Sequence, residues 1–175
     1  MNTPDDRMVA VFGSADPAEG SAEYETARQV GAVLAGLGYT VVNGGYGGTM
    51  AASARGAVEA GGRAVGGTCT HWRSGANPYV APVIETTNLP DRLEKLVELG
   101  RAGFVVLTGG TGTLQELAVV WERMSKKAMP VRPIVCVGEF WRPLVNMMAS
   151  QRPQAADLVG LATSAAQLGR WFPRR

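Results

Sequence analysis

The stretch Thr108–Glu116, TGGTGTLQE, gathers residue types that handle an anion. Gly109, Gly110 and Gly112 lack a Cβ, so the backbone there can come close to a phosphate. Thr111 and Thr113 add hydroxyl donors where a helix would begin, and the positive end of that helix favours negative charge. A second cluster, NGGYGGTM, repeats the arrangement with Gly44, Gly45, Gly47 and Gly48, followed by Thr49. Neither cluster is a P-loop, because no Gly-Lys-Ser/Thr follows. Neither fits the dinucleotide pattern G-x-G-x-x-G with a ribose-binding acid about 20 residues on. A conventional ATPase or dehydrogenase is therefore disfavoured.

If Thr113 lies near the helix start, Glu116 sits one turn in, with its side chain leaning back towards that start. A carboxylate beside an anion site repels the ligand, and becomes useful only if the reaction develops positive charge there. Cleavage of an N-glycosidic bond does so, as the ribose becomes oxocarbenium-like. The same T-x-x-E spacing also fits a capping box, in which Glu116 needs no chemistry at all. Arg92, in PDRLEKL, is the basic candidate: it can clamp a phosphate bidentately, or pair at the surface with Asp91 or Glu94. Ser14 can donate to a ribose or base, or close a turn. His71 on a polar loop and Cys136 in an apolar run read as non-catalytic, since nothing nearby in sequence would activate the thiol. With a single histidine and no CxxC pair, neither a metal site nor a disulfide framework is expected.

These residues need elements to hold them. Apolar runs at Met8–Phe12, Tyr39–Val42, Ala64–Val65, Phe104–Leu107 and Ile134–Val137 read as strands. Helical spacing marks about Ser21 to Leu37, Met50 to Ala60, Leu89 to Leu99 and Leu114 to Met124, and Asp16-Pro17 offers an N-cap before the first. Strands alternating with helices predict parallel pairing through right-handed crossovers, hence an α/β, Rossmann-like doubly wound sandwich with a mainly parallel sheet. Both glycine clusters then fall at the carboxyl ends of strands, where such sheets bind ligands. The irregular segment Thr68–Val83 is expected to cover or shape the site. The tail GRWFPRR is expected to pack Trp171 and Phe172 onto the domain.

At 175 residues and 46% hydrophobic content, the chain suits one well-cored domain spanning residues 1–175. Seventeen basic and 15 acidic side chains leave a net charge of +2, which argues against a nucleic-acid surface and leaves a small anionic ligand open. The start of the chain, MNTPDDRMVAVFG, lacks the pattern of a signal peptide, and no apolar run is long enough for a bilayer, so a soluble cytoplasmic protein is expected.

TGGTGTLQE resembles the PGGxGTxxE signature of the LOG-type phosphoribohydrolases, with Thr108 in place of the proline. GGYGGTM is similar to the family's GGGxxGLM-like loop, and VFGSAD to its VFCGSS turn. The resemblance runs from about Val9 to Leu144. It implies hydrolysis of nucleoside 5′-monophosphates to free base and ribose 5-phosphate, cytokinin nucleotides being the best-known substrates, with no cofactor. Carried over, Gly110, Gly112 and Thr113 would bind phosphate, Glu116 would act on the ribose and the attacking water, and Arg92 would match the family's arginine. The lysine that often follows that arginine is Leu93 here. Dimers are usual in the family, and a homodimer is expected, with Trp121, Met124 and VRPIV as apolar surface beyond the site. Related sheets in molybdenum-cofactor carriers bind ligands without this hydrolysis, which supplies the competing expectation.

Overall fold

The computed structural model describes residues 6–72 and 74–174, so residues 1–5, which open the stretch read for a signal peptide, lie outside it. Seven strands form one sheet in the order β4-β3-β2-β1-β5-β6-β7, every neighbouring pair parallel. They are β1 (Met8–Phe12), β2 (Thr40–Asn43), β3 (Ala64–Cys69), β4 (Val83–Thr86), β5 (Gly103–Val106), β6 (Ile134–Val137) and β7 (Val159–Ala162). The helices are α1 (Ala22–Gly36), α2 (Gly48–Glu59), α3 (Leu89–Leu99), α4 (Thr111–Ser125), α5 (Arg142–Gln151) and α6 (Pro153–Ala156), followed by a 3-10 turn at Ala165–Arg170.

The two-residue period of a strand sorts β1 between two cores. Val9 and Val11 join residues of α1 and α2 on one face, while Ala10 and Phe12 join residues of α3, α4 and α5 on the other. Both faces of the inner strands are covered, which is why they read as unbroken apolar runs. On the first face α1 and α2 meet backbone to backbone. A Cβ on Gly31 would stand 1.9 Å from the Ser53 carbonyl oxygen, and one on Gly56 1.9 Å from that of Arg28. The same face takes the tail, where Phe172 is buried edge-on against Tyr39.

Two local expectations change. α1 starts at Ala22, capped by Ser21, whose Oγ accepts from the Tyr24 N–H at 3.2 Å. Asp16 is instead tied to Ser14: the serine hydroxyl donates to its carboxylate at 2.8 Å and accepts from its N–H at 3.2 Å. That turn satisfies the chain before the helix begins. Trp121 and Met124 face inward, buried against the sheet, with the indole N–H donating to the Ala155 carbonyl at 2.7 Å.

Candidate functional site

β1 lies between β2 and β5, and the chain leaves β1 and β5 in opposite directions across the sheet. At that switch point, beyond the carboxyl ends of the strands, is a cavity of about 410 Å³. Its wall includes Ser14 and Asp16 after β1, Gly44, Tyr46 and Met50 after β2, and Gly110 to Thr113 with Glu116 after β5. Trp72, Ser74 and Arg92 complete it.

α4 begins three residues earlier than its apolar pattern suggests, with Thr111 as its first residue and Gly110 as an N-cap that offers no side chain. Its first-turn N–H groups have no acceptor within the helix and open onto the cavity. Leu117, Val120, Trp121 and Met124 form the buried stripe of α4, and Glu116 borders it. Because Thr113 lies inside the helix and is not its cap, the capping-box role for Glu116 is excluded. The carboxylate is 14% exposed and stands 3.9 Å from Nη1 of Arg92, close enough to attract but too far for a hydrogen bond. Burial pushes its pKa up to about 7, and the Arg92 charge only partly offsets this. Such a carboxyl can give and take a proton at neutral pH.

Arg92, near the start of α3, is 12% exposed in its side chain and does not make the surface pairs open to it in sequence. Asp91 is bonded to Asn88, and Glu94 pairs with Arg123. The Arg92 Nε–H donates to the Gly67 carbonyl at 2.8 Å, and the guanidinium carbon lies 5.6 Å from the Tyr46 ring and 5.5 Å from the Trp72 ring. Gly44 makes room for it: a Cβ there would be 1.9 Å from Nη2. Lys95 turns to Glu98 at 2.6 Å and takes no part.

The structure thus brings Ser14, Arg92, Gly110, Thr111, Gly112, Thr113 and Glu116 to one cavity. Gly45, Gly47, Gly48, Thr49 and Gly109 stand outside its wall. Gly45 and Gly48 supply left-handed turns, at φ 77° and 59°. The Thr49 hydroxyl and N–H both donate to the Ser14 carbonyl at 2.9 Å, and Gly109 leaves space for the Thr113 side chain. Tyr46 and Met50 lie within the second glycine cluster and Trp72 within the irregular segment expected to shape the site, but none is singled out by residue type. His71 is exposed, and burial pushes the Cys136 thiol up to about 12, where it is inert. Among the described residues no group of three His, Cys, Asp or Glu side chains could hold a metal, and no helix is long and apolar enough to cross a membrane.

A family model described as the SLOG cluster4 family matches residues 6–158. The chain belongs to the SLOG cluster4 family. It is 35% identical over 127 residues to a cytokinin riboside 5′-monophosphate phosphoribohydrolase of Mycobacterium tuberculosis, a match covering 66% of this chain and 63% of that relative. Among solved structures, the molybdenum cofactor binding protein of Rippkaea orientalis superposes with a TM-score of 0.73 at 20% identity, over 91% of this chain and 90% of that one. The molybdenum cofactor carrier protein of Chlamydomonas reinhardtii gives a TM-score of 0.68 at 24% identity, over 91% of each chain. The last two likenesses establish that this SLOG chain shares their fold.

Proposed function

We propose that this protein hydrolyses the N-glycosidic bond of a nucleoside 5′-monophosphate, releasing free base and ribose 5-phosphate. The observation that carries the reading is Glu116: a buried carboxyl, close to Arg92 and one turn inside a helix whose open N-terminus suits a phosphate. The first-turn N–H groups of α4, with the Thr111 and Thr113 hydroxyls, take the phosphate. Arg92 orients it. The C1′–N bond breaks with its electron pair leaving on the base nitrogen, which takes up a proton from solvent. Water adds its oxygen to C1′ and gives a proton to Glu116, whose negative charge stabilises the oxocarbenium-like ribose. The Mycobacterium tuberculosis relative supports this chemistry. Pairing into a homodimer belongs to the same proposal and rests on the LOG resemblance alone.

The second reading is a carrier that binds a phosphate-bearing cofactor in the same crevice without cleaving it. Leu93 in place of the second basic residue favours it, as do the two carrier and binding proteins that share the fold. A panel of nucleoside monophosphates, cytokinin-type ones included, assayed for released base separates the two readings. Glu116→Gln is expected to lower turnover by ~10²–10⁴ while AMP still binds. The rate of the unaltered chain should climb with pH through about 7, as Glu116 ionises. Retained turnover in the glutamine variant ends the catalytic assignment.

A further inference from the structure

Part of the cavity wall is aromatic and offers no charge to a phosphate. Tyr46 and Trp72 both line it. Trp121 and Trp141 are buried in the core, but Trp72 is 41% exposed, at the wall of the crevice. Tryptophan is on average a well-buried residue, and aromatic side chains that line a concave site are suited to holding a ligand.

Trp72 is nonetheless held in place. Its ring meets Tyr46 edge to face at 5.5 Å and 78°, and His71 at 5.6 Å and 82°. Tyr46 is itself fixed: its hydroxyl donates to the Cys69 carbonyl at 3.0 Å and accepts from the Cys69 N–H at 2.8 Å. The Tyr46 carbonyl accepts from Asn77 Nδ2 at 2.9 Å. An indole that rests on a hydrogen-bonded tyrosine and faces the cavity is already positioned for a planar ring, which lowers the cost of stacking one.

We propose that Trp72, braced by Tyr46, is the specificity-determining contact for the planar heterocycle of a ligand whose phosphate lies at the N-terminus of α4. The inference rests on the phosphate site of the reading above and is independent of whether hydrolysis follows. The cavity then offers charge at the N-terminus of α4 and an aromatic face at Trp72, so the ligand class is a phosphate joined to a heteroaromatic ring.

Trp72 also lies against the Arg92 guanidinium, so a brace for Arg92 is the rival role. Two ligands tell the roles apart. AMP carries phosphate and ring, and ribose 5-phosphate carries phosphate alone. Affinities for both are measured by calorimetry on the full chain carrying Glu116→Gln, which prevents loss of AMP by turnover, with and without Trp72→Ala or Trp72→Phe.

Removing a base-stacking aromatic weakens binding by roughly 5- to 150-fold. The expected result is a loss of that size for AMP in Trp72→Ala, ribose 5-phosphate changing less than about twofold, and Trp72→Phe keeping most AMP affinity. Equal losses for the two ligands show a brace and overturn the proposal. So does an unchanged AMP affinity, or a parent chain that binds AMP no more tightly than ribose 5-phosphate. Binding of neither ligand overturns both this inference and the phosphate site. The expected split without base release by the unaltered chain leaves the inference standing and removes the hydrolase reading.

Discussion

The two glycine loops carry similar residues at the ends of β2 and β5, on either side of β1, yet the fold treats them oppositely. The loop after β2 is bonded from several sides. Asn43 Oδ1 accepts from the Gly45 N–H, and Asn77 donates from its side chain to the Gly45 and Tyr46 carbonyls and from its backbone to Gly45. The loop after β5 is open. Gly110, Thr111 and Gly112 are all exposed, and a Cβ on Gly110 or Gly112 would meet nothing within 4 Å. The first loop spends its polar groups inside the protein and serves as framework. The second leaves its donors open to solvent, which suits the phosphate site proposed there.

Three changes probe that difference. The largest effect belongs to Glu116 at the end of the open loop. Its pKa rises from about 4.5 unfolded to about 7 folded, so folding favours the protonated form. The associated stability is complete below pH 4.5 and is lost as pH rises through 7. Each pH unit of that gap is worth about 1.4 kcal/mol. Relative to the unaltered chain, Glu116→Gln should therefore gain up to about 3 kcal/mol in urea-unfolding stability between pH 4.5 and pH 8. A flat difference across that range would place the carboxylate in solvent.

Asn77→Ala removes the side chain that holds the framework loop, and should cost about 1–3 kcal/mol in the same assay while weakening AMP binding through Tyr46. A loss below about 0.5 kcal/mol would mean the loop keeps its shape unaided. Gly112→Ala is the mildest. A methyl group in the first turn of α4 should leave stability unchanged or raise it by up to about 1 kcal/mol, yet shrink the rise in melting temperature that AMP produces. If the AMP response is intact, the open loop is not the binding surface.

Much of the fold can be read along the chain because inner strands of a parallel sheet announce themselves as apolar runs. β4 escapes notice because it is an edge strand whose residues alternate between exposed and half-exposed. β3 looks too short because Gly66 and Gly67 interrupt its apolar pattern. They sit there because Val80 and Leu96 press against the strand, each within 2.8 Å of where a Cβ would be. Spacing alone brings Glu116 into view, since charge and helix start lie within one stretch. Tyr46 and Trp72 belong to segments far apart in sequence, brought together by the pairing of β3 with its neighbours, and no local pattern encodes that meeting.

The contact of α1 with α2 at Gly31 and Gly56 has a mechanical consequence. At these two points no side chain cushions the contact, so a displacement of one helix is passed to the other. α2 begins at Gly48, directly after the framework loop, and Gly44 in that loop bounds the guanidinium of Arg92. A methyl group added at Gly56 would therefore act as a wedge: force applied on the outside of the molecule would travel along α2 and reach the cavity as a displacement of its arginine.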